Sequence, residues 1–384
     1  MIPTSTLALH TSRCGKQLVL LAALTGLIAF LSSSMAGAQP PQGGSVRVMT
    51  YNMYMGNVGK ITTATPDTLA TAVAEFFNNT VATNPRQRAE AIAKKFQSNR
   101  PDLVALQEVS ILRKGSGPAP NDPRIPATDV VHDQLQLLRE ALNSLGEHYD
   151  TVAVIPNSDV QFPSNLGFVV RITDRTVILA RASSNDLKLS NVQVEEYWAK
   201  VVSLIPAGAA NAPGSSLVIG MFGWGSVDVD VNDRKFRFVA THLTPVTPAL
   251  IDIQKAQASE LIQSAVKTDL PVVYAGDFNT VVASATYQIL VDSGRVDAWQ
   301  QKNPMAPCTE GHPPEDRGGC TCCQDPDLRN PISKLSHRID LVIVPPHTEI
   351  EEVKLVGADP ADQTSGLWPS DHAGVVAILK SPRN

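Results

Sequence analysis

Asp277 and Asn279 close the stretch VVYAGDFNT (272–280), one residue apart, so an extended chain turns both to the same side. The residues before them are apolar and β-forming, the pattern of a strand buried on both faces, and Gly276 lets the chain leave that strand at close quarters. A carboxylate and an amide at such a place either cap the next turn or hold something. The pattern recurs wherever an apolar run stops. Asn52 follows VRVMTY, Glu108 follows LVALQ, and His242 follows FRFVAT. Asp340 sits in RIDLVIV, and Asp371 and His372 precede AGVVAIL. Each has a plain structural explanation taken singly: a turn for Asn52, a surface partner for Glu108, a satisfied structural histidine for His242, an edge-strand residue for Asp340, a helix cap for Asp371. Six recurrences at strand ends outweigh those explanations, because the strand ends of one layer lie along one rim, where loops converge and ligands bind. A rim carrying three aspartates, one glutamate, two asparagines and two histidines needs compensation for its charge, and a hard divalent cation supplies it through oxygen ligands.

The elements that must position these residues follow from periodicity. A first strand ends near Asn52 in SVRVMTYN, and a helix starts at Pro66-Asp67. Pro85 opens another, whose Ala89, Ile92, Ala93 and Phe96 share a face; Pro101 stops it, and LVALQEV follows as a buried strand. DVVHDQLQLLREALNSLG (129–146) reads as one amphipathic helix with a glycine stop. Between 150 and 240, TVAVIP, NLGFVVRI, TVILARA, SLVIGMFGWGSVDVDV and KFRFVATHL read as antiparallel strands. Helices over TPALIDIQKAQASELIQSAVK and SATYQILVDSG and strands in LPVVYAGDF and HRIDLVIVPP complete the order. No low-complexity linker divides the chain, which predicts one α/β sandwich: two mixed, largely antiparallel sheets packed face to face with helices outside, over residues 45–380.

Arg13 and Lys16, an apolar run from Leu18 to Leu31 and the small-residue stretch SSSMAGAQP have the pattern of an export signal over residues 1–38, with cleavage expected after Ala38. The run is about 14 residues, short of the ~20 a membrane span needs. A secreted or periplasmic protein is therefore expected. The formal net charge is −5, and both basic residues of the leader leave with it, so the protein lacks the overall positive field that holds nucleic acid non-specifically. A local basic patch or bound metal still permits a polyphosphate ligand. Cys308, Cys320, Cys322 and Cys323 fall within one short stretch, which in an oxidising compartment predicts two local disulfides rather than zinc, because C-x-C-C lacks the usual ligand spacer. Three pairings exist; bonding Cys322 directly to Cys323 closes a strained ring, so the pairings that avoid it are favoured. The loop that carries them runs into the strand of Asp340 and is expected to form one wall of the cleft.

TYNMYMG, LQEV, THL, GDFN, RIDLV and SDH, in this order over roughly residues 45–380, resemble the endonuclease/exonuclease/phosphatase superfamily, which includes secreted deoxyribonucleases, apurinic endonucleases, neutral sphingomyelinases and inositol-polyphosphate phosphatases. The resemblance implies a four-layer α/β-sandwich and a divalent-metal phosphoesterase. It implies metal contacts for Glu108, for Asn52 beside it and for Asp371; an Asp–His pair in Asp340 and His372; phosphate contact for His242; and positioning of nucleophile and phosphate oxygens by Asp277 and Asn279. Mg²⁺ is the implied cofactor, with Mn²⁺ or Ca²⁺ as alternatives. The implied partner is a phosphodiester substrate, nucleic acid first and a phospholipid headgroup second, with phosphomonoesterase activity and a catalytically silent binding protein on the same fold as the alternatives; no obligate protein partner is evident and a monomer is expected. Phosphodiester hydrolysis needs an activated water, stabilised phosphoryl oxygens and a protonated leaving oxygen, and these residue types supply all three.

The sequence departs from the nucleases in an extra helical segment over about 61–85, in the length of LGFVVRITDRTVILAR, and in the cysteine loop. The loop arginines that grip DNA are not identifiable, and aromatic content is only 5%, so exposed aromatics for membrane docking are not obvious. Trp224 and Trp368 are candidates for the core. These departures bear on substrate class and leave the catalytic set intact.

Overall fold

The structure, a computed structural model, describes residues 44–184, 187–204, 217–265, 267–304, 308 and 318–380. The expected export segment 1–38 and residues 305–307 and 309–317 of the cysteine loop lie outside them. All the elements belong to the compact unit Ala38–Asn384. In chain order they are β1 (Ser45–Asn52), α1 (Gly59–Thr62), α2 (Pro66–Ala82), α3 (Pro85–Asn99), β2 (Leu103–Gln107), β3 (Ile111–Lys114), β4 (Asp129–Asp133), α4 (Gln134–Ser144), β5 (Tyr149–Phe162), β6 (Val170–Arg181), β7 (Leu187–Glu196), β8 (Val201–Leu204) and β9 (Leu217–Gly220). The second half adds β10 (Gly223–Val231), β11 (Arg234–His242), α5 (Ile251–Ala265), β12 (Val272–Asp277), α6 (Ala285–Val291), β13 (Val296–Asp297), α7 (Ala298–Lys302), β14 (Asp340–Val344), β15 (Ile350–Val356) and β16 (Gly374–Lys380).

One sheet runs β15-β16-β1-β2-β6-β3-β4, with β5 also on β6; the other runs β13-β14-β12-β11-β10-β7. The β1–β2 and β11–β12 pairs are parallel and the rest antiparallel, so each sheet is mixed. Val48, Leu103 and Ile178 of the first sheet and Val227, Phe238, Val273 and Val342 of the second share one buried cluster between the sheets. On the outer face of the first sheet, Met49, Leu106 and Leu179 meet Ile92 and Phe96 of α3 and Leu138 of α4. On the outer face of the second, Val239, Tyr274 and Leu341 meet Leu261 of α5 and Leu290 of α6. This is the four-layer α/β-sandwich expected from the sequence. Strands covered on both faces read as continuous apolar runs, which is why β1, β2 and β12 end so visibly at their polar residues. Burying Ile92 and Phe96 stabilises by roughly 1.5–3 kcal/mol each and fixes α3 across the strands that carry Asn52 and Glu108.

SLVIGMFGWGSVDVDV, expected as one strand, divides into β9, paired with β8 in a small separate sheet, and β10, and the strands β3 and β15 were not expected. Four further features differ from the sequence reading. The helix expected over 129–146 begins only at Gln134: Asp129–Asp133 pairs with β3, and Asp133 caps α4 by accepting from the Leu135 and Gln136 amides. NLGFVVRI and TVILARA contribute to one strand, because Asp174 and Arg175 interrupt the apolar pattern without breaking the ladder to β5. The edge strand β7 was not among the expected strands: nearly all of its side chains are exposed, and its apolar alternation, Leu187 and Leu189 then Val192 and Val194, changes phase at Ser190–Asn191, where the pairing to β10 shifts register. The fourth is the disulfide pairing. Cys308 pairs with Cys320, and Cys322 pairs with its neighbour Cys323 across a cis peptide bond, with α-carbons 3.1 Å apart. The pairing that the strained ring argued against is thus the one present, at a position where Cys322 is bridged through its backbone to His337 and His372. Trp224 and Trp368 are core residues, whereas Trp198 is 89% exposed. No helix among the described residues is long and apolar enough to cross a membrane.

Candidate active site

Register brings the sequence-predicted residues together. In the parallel pair β1–β2, Asn52 stands opposite Gln107, so Asn52 and Glu108 emerge side by side. In the second sheet His242 stands opposite Asp277, and Asp277 opposite Asp340. The close approach of β11 and β12 depends on Gly276, where a Cβ would come within 2.3 Å of the Thr241 carbonyl oxygen. Glu108 and Asn279 both take left-handed backbone conformations, φ +54° and +49°. For Glu108 this costs of order 1–3 kcal/mol and turns the chain sharply at the end of β2. Asparagine tolerates it better.

Hydrogen bonds bind the two rims into one site. Asn52 Nδ2 donates to Glu108 Oε1 and to Asp277 Oδ2, both at 3.0 Å, while its Oδ1 accepts from the Tyr54 amide. Asn52 thus presents nitrogen, not oxygen, to the carboxylates and spaces them apart. The Met55 amide holds Glu108 Oε2 at 2.7 Å. Asp277 Oδ1 accepts from the Asn279 amide, and Asn279 Nδ2 lies 3.1 Å from His242 Nε2 and donates to the Leu243 carbonyl. His372 Nδ1 is 2.8 Å from Asp340 Oδ2, a buried pair. The Thr321 hydroxyl, in the cysteine loop, accepts from the amides of Ile339 and Asp340. The Gln324 amide donates to the Asp371 carbonyl, and the Ala373 amide to the Thr321 carbonyl. The described part of the loop is therefore stitched onto the residues that carry the Asp–His pair.

The charges are tightly opposed. Burial first, and then the Asp340 carboxylate, push Asp277 up to about 7, against His372 and two hydrogen bonds. Burial and the Glu108 charge push Asp371 up to about 7 as well, against His372 and Arg88. For His372, burial disfavours the charged ring, but Asp340, Asp371 and Asp277 prevail and hold its pKa well above the ordinary value. Asp340 Oδ1 is buried without a hydrogen-bond partner. Carboxylates this crowded fit a hard divalent cation, and Glu108 and Asp371, with Asp277 beside them, could supply its oxygens. Ligand atoms of Asp277, Asp340 and His372 also lie within 4.8 Å of one another.

Several residues escaped the sequence reading. Arg88 of α3 is buried beneath the rim, donating to the carbonyls of Met53, Tyr54 and Pro369; burial lowers its pKa to about 10. It ties the Asn52 and Asp371 loops together. Its signal was an arginine at a helical core position, one turn before Ile92. Asp174 lies on the same β6 face as Ile172, Thr176 and Ile178, a carboxylate in an apolar alternation. It accepts from Asn157 Nδ2, and burial pushes it up to about 6, against the nearby His242. Its Oδ1 and His242 Nδ1 are both buried without hydrogen-bond partners.

These shifts set the stability of the metal-free chain. Asp174, Asp277, Asp371 and His372 all have folded-state values above their unfolded ones. Their contribution is fully present below the unfolded values, about 4 for the aspartates and 6.5 for histidine, and is lost as pH rises through the folded values. Chelated protein is therefore expected to melt at a higher temperature at pH 5 than at pH 8. A divalent cation should reverse most of that loss at pH 8, where the carboxylates are ionised. Thermal melts at the two pH values, with chelator or with Mg²⁺, check this; a chelated protein equally stable at both contradicts the crowding.

The sequence model of the endonuclease/exonuclease/phosphatase family matches residues 49–372. No curated protein matches the chain. Among solved structures, the fold is similar to an endonuclease/exonuclease/phosphatase family protein from Bacteroides thetaiotaomicron (TM-score 0.52, 18% identity, 88% of this chain and 98% of that one). It is likewise similar to one from Bacteroides vulgatus (TM-score 0.51, 17% identity, 88% and 100%). A third is the mannosyl-6-phosphatase of Bacteroides thetaiotaomicron VPI-5482 (TM-score 0.50, 16% identity, 87% and 99%).

Proposed function

Because the chain belongs to the endonuclease/exonuclease/phosphatase family, whose members are hydrolases of phosphoester bonds, we propose that it is an exported, divalent-metal-dependent phosphodiesterase with nucleic acid as its first substrate class. The observation that carries the reading is the buried Asp340–His372 pair set beside the Glu108, Asp277 and Asp371 carboxylates. A catalytically silent binding protein on this fold would have no use for that pair.

Asp340 accepts from Nδ1 of His372, which fixes the ring and leaves Nε2 as the nitrogen that exchanges a proton with water or the leaving oxygen. Asn279 Nδ2 and His242 Nε2 are 3.1 Å apart and hydrogen-bonded to each other; a phosphoryl oxygen that displaced this contact would be offered the amide N–H and, from a ring protonated at Nε2, a second donor. Asp277, kept partly protonated near neutrality by burial, orients Asn279 through its amide and stands between both histidines, at 3.7 Å from His242 and 3.8 Å from His372. Glu108 and Asp371 would hold Mg²⁺ or Mn²⁺, which would neutralise charge at the phosphate.

A second reading is a phospholipid headgroup. It rests on Trp198, 89% exposed two residues beyond the end of β7, the kind of side chain that settles at a lipid–water interface. One panel with Mg²⁺, Mn²⁺ and Ca²⁺ separates the readings: plasmid DNA, RNA, sphingomyelin vesicles, a sugar phosphate and a nitrophenyl phosphodiester. Nucleic acid is expected to be cleaved fastest. Preference for vesicles that falls with Trp198→Ala would establish the second reading, and cleavage of the monoester alone would displace both.

A further inference from the structure

The vicinal cysteines meet the catalytic histidine. Cys323 is exposed, and its Sγ lies 3.9 Å from His372 Nε2. Cys322 is buried beside it and bridged through its backbone to both His337 and His372. One ligand atom from each of Cys322, Cys323 and His372 lies within 4.8 Å of the other two. The far nitrogen of the ring, Nδ1, keeps its proton on Asp340, so Nε2 is the nitrogen left for a metal and gives up its own proton as one binds. An outer carboxylate orienting a ligand histidine is what zinc sites commonly use. With the usual Zn–S and Zn–N bond lengths, a sulfur and a nitrogen on one tetrahedral zinc lie about 3.6 Å apart. For Cys323 the distance already present is within a small side-chain movement of that; the Cys322 sulfur, bonded to Cys323 here, must swing apart from it after reduction, and the ligand that cysteine spacing alone does not supply is His372, brought in by the backbone bridge.

We propose that Cys322 and Cys323, once reduced, form with His372 a three-ligand site for a soft divalent cation such as Zn²⁺, and that its occupancy withdraws His372 from catalysis. In the closed disulfide each sulfur is bonded to the other, no thiolate exists, and the site is shut. A dithiol opens it by thiol–disulfide exchange: the bond between the two sulfurs breaks, the dithiol leaves as its own disulfide, and its two protons pass to the cysteines. Zn²⁺ then displaces both protons. The simpler alternative is that the disulfide only walls the ring. The metal site stands on its own geometry, whereas its effect on turnover rests on the role proposed for His372 above.

The test uses the full chain and a Cys308→Ser/Cys320→Ser variant, in which only one disulfide can respond. Each is reduced with a phosphine, which leaves as its oxide, freed of it by gel filtration, and titrated with Co²⁺ and then Zn²⁺ in excess Mg²⁺ beside the oxidised protein. A thiolate-to-Co²⁺ charge-transfer band is expected only after reduction, to be erased by Zn²⁺ and absent from Cys323→Ser. Asp340→Asn should weaken Zn²⁺ binding about 10–100-fold. Zn²⁺ should inhibit the reduced enzyme at concentrations at least about tenfold below those needed for the oxidised one. No band after reduction, or the same Zn²⁺ affinity in both states, overturns the site. A band without loss of turnover overturns the withdrawal of His372; if His372→Ala then also keeps its turnover, the fault lies in the proposed function instead.

Discussion

His372→Ala and Asp340→Asn are each expected to lower kcat by about 10²–10⁴-fold, and the double variant to lose little more than either. The pair is expected to act as a unit because Asp340 reaches the reaction only through the ring. Its Oδ2 is 2.8 Å from Nδ1, and both side chains are buried. An amide in place of the Asp340 carboxylate can offer an N–H to Nδ1 and leave the proton on Nε2, the wrong nitrogen for a base. It also removes the largest of the charges that raise the His372 pKa. The pH dependence of kcat/KM should therefore move to lower pH in Asp340→Asn, a change that a merely structural role would not produce. Multiplicative losses in the double variant would mean that the two side chains act separately.

How legible this site was depended on burial. β1, β2, β12 and β14 are covered on both faces, so their apolar runs stop abruptly at Asn52, Glu108, Asp277 and Asp340, and the chemistry could be read from the punctuation. The same rule failed where a strand is exposed. β7 carries almost no buried side chain, and its short apolar alternation changes phase at Ser190–Asn191, so the strand was overlooked. Asp129–Asp133 looked helical because it joins smoothly to the periodicity of α4, and the cap at Asp133 was the overlooked boundary. Second-layer residues were hidden for a different reason. Arg88 and Asp174 act from element interiors, where a single polar residue in an apolar pattern resembles noise until the neighbouring loops are in place. The pairing of Cys322 with Cys323 was set aside in the sequence because it closes a strained ring; the backbone bridges of Cys322 to His337 and His372, distant in the chain, show only in the fold.

Chelation is expected to abolish turnover, Mg²⁺ or Mn²⁺ to restore it, and Glu108→Gln to reduce divalent affinity and kcat/KM together, the latter by at least about 10²-fold. The carboxylate of Glu108 is held from two sides, by Asn52 Nδ2 on Oε1 and by the Met55 amide on Oε2. Both neighbours are donors. A glutamine amide must turn its own N–H₂ toward one of them, which sets donor against donor and pulls the remaining oxygen out of place. The charge that offsets a cation is lost at the same time. Asp371 and Asp277 are both pushed upward by burial and neighbouring carboxylates, so each must give up a proton against that push to make good the lost charge. Added Mg²⁺ should raise the melting temperature of His372→Ala as it does that of the native chain, because the proposed metal rests on the oxygens of Glu108 and Asp371 and not on the ring. The same addition should leave Glu108→Gln nearly unmoved. This contrast separates loss of metal from loss of general-base chemistry, which turnover alone cannot do. Full activity in chelator, or an unchanged Mg²⁺ shift in Glu108→Gln, would remove Glu108 from the metal site.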